Sequence, residues 1–255
     1  MRLWHYLCGM ASKERPPAAR PNAAVTVDCV VFGMDMRPEA SQLKVLLIER
    51  RNEPFRGMLA IPGGFVEAGE SLDAAARREL QEETGLTEVF LEQLYTFGEP
   101  GRDPRGRVVS VAYYALTSLA AHEVRAGSDA ARAQWHALPL PVGPQQMAFD
   151  HGQILEMALA RLRGKIRYAP VGFELLSERF TLADLQRLYE AILGRKIQSA
   201  HFRRKMLSTG VLAAAGTIKG RRGPAAVAYS FNEKAYRGLM RDYARQGIVR
   251  DFFKV

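Results

Sequence analysis

The segment Gly64–Leu86, GFVEAGESLDAAARRELQEETGL, constrains this chain more tightly than any other. Gly64 is followed after five residues by Glu70 and after seven more by Arg78-Glu79-Leu80. Glu82-Glu83 and Gly85-Leu86 then follow, each pair set off by one residue. The alanine, leucine, glutamate and arginine content of 71–84 predicts a helix, with Ser71 as N-cap and Gly85 as the C-terminal stop. On such a helix Glu79, Glu82 and Glu83 stand at i, i+3 and i+4, so their carboxylates share one face. Like charges packed that closely repel, and a hard divalent cation with oxygen ligands, Mg²⁺ or Mn²⁺, would remove the repulsion. Arg78 precedes Glu82 by four residues and can pair with it and orient it. Gly63 and Gly64 would let the preceding strand turn sharply into a loop where the backbone can approach a phosphate. An ordinary salt-bridged helix face requires neither the glycines nor these offsets.

The pattern matches the signature of the Nudix hydrolases position by position, and the chain resembles that family. The resemblance implies an α/β/α sandwich that cleaves a nucleoside diphosphate linked to another moiety. It maps the family's metal-binding glutamates to Glu79, Glu82 and Glu83, adds Glu70 as a further candidate, and makes Glu82, Glu83 and Arg78 the candidate catalytic residues. Bound metal would neutralise the diphosphate, polarise a bridging oxygen and lower the pKa of the attacking water. Gly63 and Gly64 are the candidate substrate-binding backbone.

Charge divides the chain. Residues 1–160 carry 16 Lys+Arg against 20 Asp+Glu, whereas 161–255 carry 20 against 7. Two regions of opposite sign are expected to do different jobs. Expected boundaries are a flexible leader over 1–21, rich in proline and charge from Ser12, a Nudix domain over 22–165 and a second domain over 166–255. Met10, ahead of the proline-rich stretch, is a candidate translation start. Cys8 and Cys29 have no metal-ligand spacing and form no disulfide framework, which points to a reducing cytoplasm. No apolar run has the length of a membrane span, so no membrane partner is expected.

Within the first domain, 24–32, 44–49, 59–61, 108–116 and 134–137 read as strands, and 149–162 as an amphipathic helix that places Ile154, Leu155, Ala158, Leu159 and Leu162 on one side. Together with the acidic helix these give an α/β sandwich. The stretch YTFGEPGRDPRGRVVSVAYYA, 95–115, sets Arg102, Arg105, Arg107 and Asp103 in a Gly/Pro loop entering a strand, which suits either a plain surface loop or one that holds a phosphate or ribose. The stretch resembles the ADP-ribose-handling Nudix branch, and by that resemblance Arg102 and Arg105 are phosphate or ribose contacts. Phe55 and Arg56 are weaker candidates for the base or terminal ribose. Leu59 stands where an aromatic residue is common in that branch, so stacking must come from Phe55 or Phe65. His151 begins a helix, and a structural role is favoured over proton transfer.

In the second domain Thr181 caps a helix whose apolar Leu182, Leu185, Leu188, Tyr189 and Ile192 follow the helical period up to Gly194. A second helix, Ser199–Ser208, would bury Phe202, Met206 and Leu207 and leave His201, Arg203, Arg204 and Lys205 mostly outward. Two extended runs, 212–218 and 225–231, flank the tip Lys219-Gly220-Arg221-Arg222 as in a β-hairpin. Helix, turn, basic helix and basic hairpin is the order of a winged helix, with Arg203, Arg204, Lys205, Lys219, Arg221, Arg222 and His201 as candidate contacts to double-stranded DNA. A small helical packing or dimerisation domain with a solvated basic face is the alternative.

The combination of YTFGEPGRDPRGR, FTLADLQRLYEAILG and HFRRK resembles the NrtR-type Nudix regulators of NAD metabolism over residues 22–250. That resemblance implies sensing of ADP-ribose or a related nucleotide and repression of NAD genes by a homodimer. Two functions follow: a Mg²⁺-dependent hydrolase of ADP-ribose or a similar NAD-derived diphosphate, coupled to DNA binding, or an ADP-ribose-sensing repressor with little or no hydrolysis.

Overall fold

The structure is a computed structural model that describes residues 22–37, 41–87, 89–119, 130–141, 143, 146–219 and 225–246. The expected leader, Cys8 and the wing-tip residues Arg221 and Arg222 lie outside the described residues.

The first half is a mixed sheet with a helix on either side. β1 (Ala24–Asp35) is central: β2 (Gln42–Arg50) pairs with it antiparallel, Val31 opposite Leu46, and β6 (Val108–Ser118) parallel, Ala24 opposite Val108 through Met34 opposite Ser118. β3 (Leu59–Ala60) and β7 (Ala130–Ala137) join β2, β4 (Gly63–Phe65) joins β1, and β5 (Phe90–Phe97) closes the other edge against β6. Sequence periodicity misses β5, whose inner side buries mainly Leu94 and therefore shows little alternation.

Period-2 side-chain alternation divides the sheet's residues between two cores. Val27, Cys29 and Val31 of β1, with Val111, Tyr113 and Ala115 of β6, face Ala75, Ala76 and Leu80 of α1 (Leu72–Thr84). The two alanines let the helix approach closely, and a fully buried side chain such as Leu80 contributes roughly 1.5–3 kcal/mol. Val30, Phe32 and Met34, with Ala112, Tyr114 and Leu116, face the opposite way, onto Ile154, Leu155, Ala158 and Leu162 of α2 (His151–Lys165).

That second core continues beyond α2. A 3-10 turn, Phe173–Leu175, lies against β1 and β6, and α3 (Leu182–Leu193) packs on both β2 and α2. Phe173, Leu175, Leu185, Leu188, Tyr189 and Ile192 belong to the same buried cluster as Phe32 and Leu116. α3 is capped as its sequence dictates: Thr181 and Asp184 form a reciprocal capping box, and Gly194 takes the left-handed conformation at φ 68°. α4 (Ser199–Ser208) follows, then β9 (Leu212–Lys219) and β10 (Ala225–Phe231), which form a three-stranded sheet with β8 (Phe180–Thr181). The amphipathic α5 (Glu233–Gln246) packs Tyr236, Leu239 and Tyr243 against the common core.

Candidate functional site

The acidic helix forms one wall of a cleft of about 400 Å³ lined by Asp28, Gly63, Gly64, Arg78, Glu79, Glu82, Glu83, Arg102, Arg105, Phe149 and His151, among others. Ser71 Oγ accepts the Ala74 N–H at 3.2 Å, and Gly85 turns the chain out at φ 76°. Both ends of the helix are thus fixed by the residues its sequence nominates.

Arg78 is the hub of the acidic wall. Its Nη2 lies 2.8 Å from Glu70 and donates to the Phe65 carbonyl at 3.0 Å, while its Nη1 lies 2.8 Å from Glu79 and 3.2 Å from Glu82. The expected pairing with Glu82 is present but is the longest of the three. Glu83 turns the other way and accepts the Gly63 N–H at 2.8 Å. The common carboxylate face is therefore divided, and among the described residues no three acidic, histidine or cysteine side chains converge at metal-binding spacing. The donor chemistry nevertheless suits a hard cation. Three carboxylates share one guanidinium while Glu83 lines the same cleft, every donor is oxygen, and burial pushes Glu79 above its ordinary carboxylate range although Arg78 opposes this. Glu70 braces Arg78 and is not among the cleft-lining residues.

Gly63 and Gly64 serve a different purpose from a sharp turn. Both lie in β4, opposite Asp28 and Val27, and neither has positive φ. What excludes a side chain is space: a Cβ at Gly63 would sit 2.2 Å from the Val27 carbonyl oxygen, and one at Gly64 would sit 2.2 Å from Glu79 Oε1.

The opposite wall holds a buried polar cluster that sequence reasoning missed in part. The Arg102 side chain is 4% exposed, and its guanidinium binds both oxygens of Asp150 at 2.9 and 2.6 Å and lies 3.4 Å from Asp28. It lines the cleft, where a phosphate or ribose contact is expected of it, and also clamps β1 to the head of α2. Asp28 also accepts from the Ser110 hydroxyl and faces His151 Nε2 at 3.4 Å. His151 Nδ1 accepts the Ile61 N–H at 2.9 Å, and burial holds its pKa below the usual histidine range, so the ring is a neutral structural acceptor. Asp28 carries no sequence signal because it lies within a strand of apolar residues.

Arg105 is the more open cation of this loop, anchored by Asp103 at 2.7–3.2 Å with its guanidinium 5.0 Å from the Phe65 ring. Phe55 and Arg56 do not line the cleft; Arg56 is exposed beside it.

In the second domain, Phe202 and Met206 pack α4 inward, Phe202 against Tyr189 at 5.3 Å. Glu190 and Gln186 hold the turn between α3 and α4 through the Ile197 N–H and carbonyl at 3.1 and 3.0 Å, which sets the angle of α4. Arg203 and Arg204 are exposed; His201 and Lys205 are half-buried, and Lys219 is exposed at the end of β9. Leu207 is 41% exposed and is no core residue: it stands four residues after Arg203 and shares its outward face.

A sheet flanked by two helices, with an acidic box on one of them and a three-stranded winged helix attached, defines a two-module protein, an α/β cleft domain carrying a winged-helix fold. The family model for the NUDIX domain matches residues 23–157, and that for the NrtR DNA-binding winged helix domain matches 172–231. The chain is 39% identical, over 75% of its own length and 75% of the relative's, to the ADPR responsive transcriptional repressor NtrR of Acinetobacter baylyi. The crystal structure of Shewanella oneidensis NrtR complexed with a 27mer DNA is similar at TM-score 0.69 and 36% identity, covering 84% of this chain and 95% of that one. An ADP-ribose pyrophosphatase of Methanocaldococcus jannaschii is 43% identical over 44% of this chain and 64% of the relative. The chain belongs to the Nudix family, in its NrtR-type branch with a C-terminal winged helix. Nudix hydrolases generally use divalent metal ions. Among the described residues no helix is long and apolar enough to cross a membrane.

Proposed function

We propose that this chain is a Nudix hydrolase coupled to a DNA-binding element: its cleft binds ADP-ribose, or a similar NAD-derived nucleoside diphosphate, and its winged helix binds upstream DNA of NAD genes as a homodimer. The observation that carries this reading is the shared core. The 3-10 turn and α3 pack directly on the sheet whose opposite face carries the acidic helix, so an event in the cleft and the setting of α4 belong to one packed body. A ligand changes DNA affinity only through differential binding to two arrangements, and a continuous core offers such coupling where a flexible linker would not.

The acidic box supports hydrolysis. Mg²⁺ or Mn²⁺, held by Glu79, Glu82 and Glu83 with Glu70 bracing from behind Arg78, would neutralise the diphosphate and acidify the attacking water. The chain's own residues do the positioning. Arg78 holds Glu70, Glu79 and Glu82 in place, Glu83 fixes the Gly63 backbone, and the missing side chain of Gly64 lets the strand lie against Glu79. Arg105 provides a cation for the diphosphate or ribose at the other wall. On the DNA side, Arg203, Arg204, Lys205, His201 and Lys219 would supply the salt-dependent phosphate contacts, with Arg221 and Arg222 at the wing tip. The repressor reading without turnover is favoured by one observation: Arg78 already neutralises part of the carboxylate cluster.

Purified full-length protein tests both readings. AMP release from ADP-ribose with Mg²⁺ is expected, together with a salt-sensitive gel shift of DNA from upstream of NAD genes that changes when ADP-ribose is added. No shift at low salt would reject the regulator; no AMP would reject the hydrolase and leave the sensor.

A further inference from the structure

Helix α4, SAHFRRKMLS, carries three Lys+Arg and no acidic residue, and it is anchored through Phe202 and Met206. Ala200, Arg203, Arg204 and Leu207 stand at i, i+3, i+4 and i+7, so they form one stripe on its outward side, and all four are exposed. A helix lying in the major groove presents residues at this spacing to the bases. Leu207 is 41% exposed and belongs to none of the buried clusters. Single exposed leucines are ordinary on a protein surface; this one is set apart by sharing its stripe with two arginines.

The backbone that carries Leu207 is held in place. Ser208 Oγ donates to the Lys205 carbonyl at 2.8 Å, Thr209 Oγ1 to the Met206 carbonyl at 2.6 Å, and the Gly210 N–H to the Leu207 carbonyl at 3.3 Å, with Gly210 left-handed at φ 71°. The last turn of α4 is thus closed by its own side chains and a glycine stop. The surroundings also select the occupant. An apolar protein surface laid over Leu207 would strip water from Arg203 and Arg204 without pairing them, a cost that burying one leucine does not repay. Duplex DNA neutralises the same guanidinium groups with phosphates and offers, in the major groove, one apolar feature, the C5 methyl of thymine. At ten residues α4 is about 15 Å long, comparable with the ~12 Å width of that groove, so the far end of the stripe still faces bases.

We propose that Leu207 is a specificity-determining residue of the winged helix: its side chain packs on the C5 methyl of a thymine in the major groove, while Arg203 and Arg204 hold flanking phosphates. Ala200, the small member of the stripe, lets the helix sit close to the bases. The preference Leu207 confers is for thymine over the same pyrimidine without its methyl group. The inference rests on the DNA-binding reading given above.

Full-length protein tests this by first selecting duplexes from a random-sequence pool. The selected duplex is then synthesised twice, once with thymine and once with deoxyuridine, which lacks the methyl group. In gel shifts over a range of salt concentrations, wild-type protein is expected to prefer the thymine duplex by about fourfold or more, the scale of burying one methyl group. Leu207→Ala should bind the two duplexes within about twofold of one another and keep the wild-type salt slope, because its phosphate contacts are intact. Leu207→Met, which retains an apolar side chain of similar reach, should recover the preference. Equal wild-type affinity for the two duplexes, an undiminished preference in Leu207→Ala, or a smaller salt slope in that variant overturns the base-reading role, as does a selection that returns no preferred sequence. Wild-type protein that shifts no duplex at low salt removes the DNA-binding reading beneath it.

Discussion

Arg102 holds both carboxylate oxygens of Asp150, 48 residues later, at 2.9 and 2.6 Å, its own side chain buried and that of Asp150 largely so. The pair fastens the Gly/Pro loop to the head of α2, and Asp28 joins it from β1. Arg102→Met would leave buried Asp28 and part-buried Asp150 without their cation. We expect a loss of about 3–5 kcal/mol in urea unfolding, larger than that of Asp150→Asn, which keeps an acceptor for the guanidinium. Equal and small losses would contradict the clamp.

His151 makes stability depend on acid. Burial lowers its folded-state pKa below the unfolded value, so its contribution is complete above the ordinary histidine pKa and declines as pH falls through the folded value, because the unfolded chain takes the proton first. Urea midpoints should fall between pH 7.5 and 5 in wild type and fall less in His151→Leu. At pH 8 the same variant should lose about 1–3 kcal/mol, since the buried Ile61 N–H loses its acceptor. An identical pH slope in both proteins would exclude His151 as the source.

The neighbouring glycines should respond differently to alanine. At Gly63 the new Cβ meets the Val27 carbonyl, which is backbone, so β1 and β4 must separate and overpacking should cost roughly 1–3 kcal/mol. At Gly64 it meets the end of the Glu79 side chain, which can swing away. Gly64→Ala should therefore retain most thermal stability while losing Mg²⁺-dependent turnover; a large melting-point drop at Gly64 and none at Gly63 would reverse this assignment.

Cation binding should compete with protons at the acidic wall. Burial raises the pKa of Glu79, so below it the carboxyl is neutral and weakens as a ligand. The rise in melting temperature produced by Mg²⁺ should grow from pH 5 to 7.5 and vanish on chelation with EDTA. Glu82→Gln or Glu83→Gln should abolish AMP release from ADP-ribose, and a pH-independent shift in melting temperature would place the metal elsewhere.

The DNA face should be separable from the cleft. Arg203 and Arg204 are exposed while Phe202 and Met206 hold α4 in place. The double variant Arg203→Ala, Arg204→Ala should fold normally, bind upstream DNA more weakly and show a salt slope smaller by about 2, with AMP release unchanged. An unaltered slope would move the contacts off this helix.

Local interactions made much of this molecule readable from its sequence. Ser71 and Gly85 bound α1, Thr181 and Gly194 bound α3, and Ser199–Ser208 is helical as its pattern requires, because capping and period act within a few residues. The acidic box is legible for the same reason: its residues are fixed by offsets on one helix. The division of its carboxylates by Arg78 and Gly63 was decided only by the fold, as were the burial of Arg102 and the meeting of Phe55 with Phe149. Each of these joins segments tens of residues apart, and which charge is buried or which rings touch depends on how the sheet, α1 and α2 pack. Residue type and spacing specify what a segment can form; the shared core specifies which of its side chains remain available for ligand.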